Sequence, residues 1–224
     1  MTTYTRDVRK TAIGLAGATG LVLLAMVSVT LATGATQEQH EHYAVPAEYA
    51  RALLDHPGAL RLLMGLDVAF LCLYTAFFAA LAHVLRGRPL VTLALVALVG
   101  TAVLDIVEDH HILALLRLAE LGRPLDDATL AFQQTLSSTK FSLSYLGLVL
   151  LGLAIPRATK LGVLFALFLT VGTLMTAVLD FALPPDAHGA IDGGRWVGFL
   201  LGFTIAAAWL RAQPDPETSV PTAA

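Results

Sequence analysis

Within seven residues the chain reads Asp105-Ile106-Val107-Glu108-Asp109-His110-His111, three carboxylates and two imidazoles together. On a helix turning 100° per residue, Asp105, Glu108 and Asp109 fall within about 100° of one another. Thr101 precedes them on that face, and His111 flanks Glu108. Three acids on one face repel each other, so a metal ion, a proton or a basic side chain must offset them. Carboxylates suit a hard cation. Asp105 and Glu108 with His111 or His110 would suit a divalent transition metal, but the DxxEDHH spacing matches no zincin signature. An acid/base pair is the other chemistry such residues support.

A lysine can supply the offset. Gln133, Ser137, Lys140 and Ser144 are spaced four, three and four apart, which makes one helical stripe. If the two segments form an antiparallel hairpin turning at Pro124, Glu108 and Lys140 are equidistant from the turn and lie level. The same reflection about Arg88 sets Asp67 level with Asp109, with Tyr74 deeper on the Asp67 face. Reflection about His188 sets Asp180 level with Trp196, beside Arg195. The expected polar cluster is therefore Asp67, Tyr74, Asp105, Glu108, Asp109 and Lys140, joined by Asp180 and Arg195. Ser137 and Ser144 beside Lys140 evoke a Ser–Lys dyad. A serine bonded to its own helix backbone is the plainer reading.

The elements that must position these residues are membrane helices. Of 224 residues, 56% are hydrophobic and 14% charged, where a soluble domain carries about 25%. Mean hydropathy is +0.72. This excludes a disordered chain, a nucleic-acid binder and an ordinary cytosolic enzyme. A hydrocarbon core about 30 Å thick takes about 20 apolar helical residues. Six stretches qualify, over roughly 12–34, 62–85, 90–108, 129–155, 161–182 and 196–211, broken by Gly- and Pro-containing turns. The expected fold is an all-α polytopic bundle forming one membrane domain. The first stretch is too long for a signal-peptide core and reads as a retained span.

Basic residues orient the bundle. With both termini inside, inner segments hold eight Lys and Arg against three acids, and outer segments six against fourteen. The expected location is a plasma membrane. Asp105 lies sixteen residues past Pro89, or about 24 Å at 1.5 Å per residue, near the outer edge of the hydrocarbon. Interfacial charges reaching for water would sit there too, but Ile112, Leu113, Leu115, Leu116 and Leu118 continue the apolar pattern outward and would enclose the cluster.

The remaining soluble parts are an outer loop over 36–57 and a tail over 212–224. Residues 47–54 read as a short helix on the membrane surface. His40-Glu41-His42 reads as a solvated loop rather than a weak metal site. Lone Cys72 closes no intrachain disulfide and reads as a small buried hydrophobe. Gly194, Gly198, Gly202 and Ala206 recur every four residues. Such a ridge lets helices approach closely, within the chain or, as the lesser alternative, across a homodimer.

The succession GLDVAFLCLYTAFFAAL, TAVLDIVEDHHILALL and Lys140 in the following span resembles a group of uncharacterised bacterial membrane proteins. Those carry a D…Y span, a DxxEN span followed by paired leucines, and then a lysine. The resemblance covers about 58–150 and matches Asp67, Tyr74, Asp105, Glu108 and Lys140. Asp109 stands where that pattern has Asn and adds a negative charge. The resemblance implies a shared site but no known activity. The readings left open are a cation- or proton-binding membrane protein, a membrane-embedded hydrolase or transferase acting on lipid, and a structural or accessory subunit. The near-featureless inner halves of spans two to five count against a solute path.

Overall fold

The computed structural model describes residues 2–42, 44–183 and 188–213; the expected tail lies outside them beyond Gln213. The described residues hold no strand, and six of their helices are long and apolar enough to cross a membrane. In order the helices are α1 (Thr2–Thr33), the short α2 (Pro46–Asp55), which is not a span, α3 (Pro57–Val84), α4 (Pro89–Glu120) and α5 (Asp127–Ala154). Then come α6 (Lys160–Leu167), which runs through a π-helical turn at Phe168–Gly172 into α7 (Thr173–Ala182), and α8 (His188–Arg211). The fifth span is thus α6, the π turn and α7 together.

Local chemistry sets these boundaries. Pro46, Pro57 and Pro89 occupy first helical turns, where a missing N–H costs nothing. The Asp126 side chain accepts from Thr129 N at 2.7 Å and caps α5. Gly122, at φ +65°, ends α4, and Arg123 N reaches back to Leu118 O at 2.9 Å. That is the left-handed turn glycine accepts most readily.

α4 is much longer than the 90–108 expected from hydropathy. Its thirty-two residues extend about 48 Å, more than a bilayer core requires. The excess builds a second core outside the first. Tyr49 and Leu53 of α2 pack there with Leu60, Met64, Ile112, Leu115 and Leu116. The short helix expected over 47–54 therefore buries its apolar face on protein rather than on lipid. Arg61 grips Glu120 with both contacts at 2.7 Å and ties α3 to the tip of α4.

In the main core α1 packs along α3 and α8. T-shaped rings join α3 to α8 through Phe70, Phe77, Phe199 and Phe203. Close backbone approach occurs between α4 and α5, where a Cβ at Gly147 would come 2.8 Å from Leu98 and one at Gly100 2.8 Å from Leu143. The ridge on α8 behaves differently. A Cβ at Gly194 or Gly198 would meet nothing within 4 Å, and at Gly202 it would meet the Phe168 ring at 3.1 Å. Gly194 and Gly198 therefore do not seat another helix of this chain; they line a cavity. Cys72 is exposed, not buried. On a bundle bathed in lipid an apolar side chain gains little from facing inward, so hydrophobicity alone does not assign a side.

Candidate functional site

The polar stripes meet in one buried cluster, and Asp67, Tyr74, Asp105 and Lys140 of it line a chamber. α4 carries Asp105 at the rim and the buried Glu108 and Asp109, α3 carries Asp67 and Tyr74, and α5 carries Gln133, Ser137 and Lys140. Lys140 Nζ donates to Asp105 Oδ1 at 2.9 Å and to Glu108 Oε2. Glu108, fully buried, also accepts from Ser137 Oγ and from Gln133 Nε2, the latter at 3.0 Å. His111 Nδ1 faces Gln133 Oε1 at 2.6 Å. His111 thus reaches Glu108 only through a glutamine. Ser137 donates to Glu108, and an amine donating to three carboxylates is no base, so this geometry is not a Ser–Lys dyad.

The third carboxylate on Lys140 comes from the loop after α1. Gly34, at φ +77°, turns the chain, and a single helical turn at Glu38–His40 folds it back over the chamber. Gln37, His40 and Glu41 are buried, contrary to the solvated loop expected there. Glu41 Oε1 accepts from Lys140 at 3.2 Å, and its Oε2 faces Arg195 at 3.5 Å. Gln37 Nε2 donates to Asp109 Oδ1 at 3.0 Å. The Trp196 indole donates to Glu38. Tyr49 on α2 donates to His40 O at 2.9 Å and holds the loop from behind.

Electrostatics explain why this polar segment is drawn inside. Burial pushes the Glu41 carboxyl up, but Lys140 and Arg195 outweigh it and hold Glu41 below the usual carboxylate range. Glu38 has no such cation, and burial with the charge of Glu41 pushes it up. Burial lowers the His40 imidazole to about 4, partly countered by Glu41.

Arg195 forms a second knot. It pairs with Asp180 and, at 2.9 Å, with Asp192, while Tyr145 OH donates to Asp180 Oδ2 at 3.0 Å. Both cations lie over the Phe141 ring, its centroid 4.5 Å from Lys140 Nζ and 3.8 Å from Arg195 Cζ. Glu41 spans both, so a loop residue couples the two knots.

The remaining acids are less well matched. Among the described residues, oxygens of Asp67, Asp105 and Asp109 lie within 4.8 Å of one another. This carboxylate set differs from the expected Asp105, Glu108 and His111, because Glu108 turns to Lys140 and His111 to Gln133. Asp67 Oδ2 and Asp109 Oδ2 are buried with no donor beside them and lie within hydrogen-bond reach of each other, so they pair only if a proton or a cation sits between them; Tyr74 OH is buried with no hydrogen-bond partner. Asp67, Asp105 and Tyr74 face a chamber of about 90 Å³ also walled by Glu41, Lys140 and Arg195. A cleft lined by His42, Gln134, Ser138 and Asp180 meets it at Glu41 and Arg195.

Sequence reasoning missed Glu38, Glu41 and Gln37. The available signal was an acid surplus on one side of the bundle; the fold-back that brings the loop to Lys140 has no local sequence signature. No protein-family model, curated protein or solved structure matches this chain.

Proposed function

We propose that this multi-pass membrane protein binds a cation at Asp67, Asp105 and Asp109, on the wall of a chamber at the outer end of the bundle that Asp67 and Asp105 line. The observation that carries this is the convergence of three carboxylates, with Asp67 and Asp109 turned on each other without a donor between them and the Tyr74 hydroxyl unpartnered. Lys140 is shared with Glu41 and Glu108 as well as Asp105, so one ammonium faces more negative charge than it can neutralise. A hard metal ion fits three carboxylate oxygens and a phenol; protons held among the carboxyls are the other way to meet the same charge. The excess of basic residues at the opposite end supports an orientation with both termini inside and the chamber facing out from a plasma membrane. Membership in the D…Y, DxxEN and lysine group is part of this proposal, Asp109 in place of Asn being what adds the third acid.

The test compares wild type with the double variant Asp67→Asn, Asp109→Asn in detergent. Elemental analysis and calorimetric titration with manganese and calcium read metal; difference infrared spectra of the protonated-carboxyl stretch read protons. Stoichiometric metal, or a protonated-carboxyl band, that disappears in the variant supports the reading. Absence of both signals in wild type overturns it.

A further inference from the structure

We propose that the chamber and the apolar cavity beside it form one binding site for a lipophilic amine. The ammonium head lies in the chamber and the hydrocarbon chain in the cavity. This rests on the cation reading and names the class of cation.

The chamber's walls are acidic and aromatic together. Glu38, Glu41, Asp67 and Asp105 face it against only Lys140 and Arg195. Arg195 is already paired with Glu41, Asp180 and Asp192, so it presents little net repulsion. Phe70, Tyr74, Phe78, Phe141, Trp196 and Phe199 complete the lining. Surplus carboxylate beside several aromatic rings is the environment that favours an organic ammonium over a hydrated inorganic ion. The buried Tyr74 OH, aimed into the chamber with no partner, leaves room for one more polar contact.

The adjoining cavity, about 340 Å³, lies between α3, α5, the π turn and α8 and shares Phe78, Phe141, Ser144, Leu148, Arg195 and Phe199 with the chamber. Its size falls within the range of small-molecule sites. Its floor is the α8 ridge, where Gly194 and Gly198 leave space that a side chain would fill. Opposite them, the π turn places Phe168, Leu169 and Gly172 on its wall; such turns recur at functional sites. Val197 and Leu201, which also line it, are about half exposed on the bundle surface, so a chain can enter from the side. A neutral lipid would leave the carboxylates unmatched, and an anionic one would be repelled by them.

The probe is tritiated dodecyltrimethylammonium, with purified protein in nanodiscs and empty nanodiscs as the partition control. Saturable binding is expected in wild type, displaced by unlabelled dodecylamine far better than by tetramethylammonium or dodecanol. Gly198→Phe should weaken it at least tenfold by filling the cavity, while leaving the metal or protonated-carboxyl signal of the triad intact. Asp67→Asn with Asp109→Asn should lose both. No saturable binding in wild type, or equal displacement by dodecanol, overturns the inference while the triad signal still stands. Undiminished binding by Gly198→Phe, with the triad signal intact, removes the cavity from the site. The displacement series needs no variant and decides the matter if a variant fails to fold.

Discussion

The two ends of this bundle are stabilised in different ways. At the end that the proposed orientation makes the inner one, helices meet through aliphatic side chains and ring edges, and Lys160 is exposed. At the outer end, an apolar cap surrounds two cations and a larger number of acids, nearly all out of water. Apolar contacts are non-directional, so the inner end tolerates many sequences of the right volume. Buried charges hold only when every partner is in place, because each unmatched one keeps its desolvation cost. The comparison teaches where specificity lies. The inner half makes a membrane bundle, and the outer half makes a particular one.

The strongest way to break this contrast is to remove a lysine from each end. Lys140→Ala strands Glu41, Asp105 and Glu108 and should cost about 3–5 kcal/mol, the range for breaking a buried pair. Lys160→Ala, at an exposed helix start, should change the melting temperature in detergent very little. Equal shifts for the two variants would mean the outer charges are solvated and the two ends are alike.

Much of this contrast is legible in the sequence. Helical period placed Asp105, Glu108 and Asp109 on one face, and reflection about short turns set Lys140 against Glu108 and Arg195 against Asp180; both ion pairs are present. These inferences use only helix geometry, which varies little. What was not legible depends on free choices of the chain. Glu41 reaches Lys140 across ninety-nine positions because a loop folds inward, and no period encodes that. His111 and Glu108 were grouped by proximity on α4, but a glutamine on α5 intervenes. The α8 glycines show spacing only, and the same spacing serves a helix contact or a cavity floor. Hydropathy likewise stopped α4 at Glu108, because charges end an apolar window whether they meet water or a partner.

Acid should act on the outer end first. The His40 pKa is lowered to about 4 from its ordinary 6.5. The unfolded chain therefore binds the proton more readily, and stability falls as pH drops from about 6.5 toward 4. At pH 5 this amounts to roughly 2 kcal/mol, on the order expected from that shift. Glu41, held low, adds to the loss below about pH 4.5, its ordinary value. Glu38, held high, works in the opposite sense and gains on protonation. Hydrogen exchange should show residues 36–42 loosening over this window while α3 and α8 at the inner end stay protected. His40→Asn should flatten the response above pH 5. Uniform loosening of both ends would assign the acid effect to the bundle as a whole and not to the loop.

The smallest effect separates packing from cavity within the glycines themselves. Gly147→Ala places a methyl 2.8 Å from Leu98 and 3.3 Å from the carbonyl of Ala94. Part of that contact is backbone and cannot rotate away, so the variant should lose about 1 kcal/mol, the low end for an overpacked site. Gly198→Ala places its methyl in open space. There the better helix propensity of alanine acts alone and should leave stability unchanged or slightly raised, by up to about 1 kcal/mol. Melting temperatures of the two single variants, measured in one detergent, give the sign directly. A loss at Gly198 as large as that at Gly147 would show that α8 is packed by a helix along its ridge, and the cavity floor would have to be abandoned.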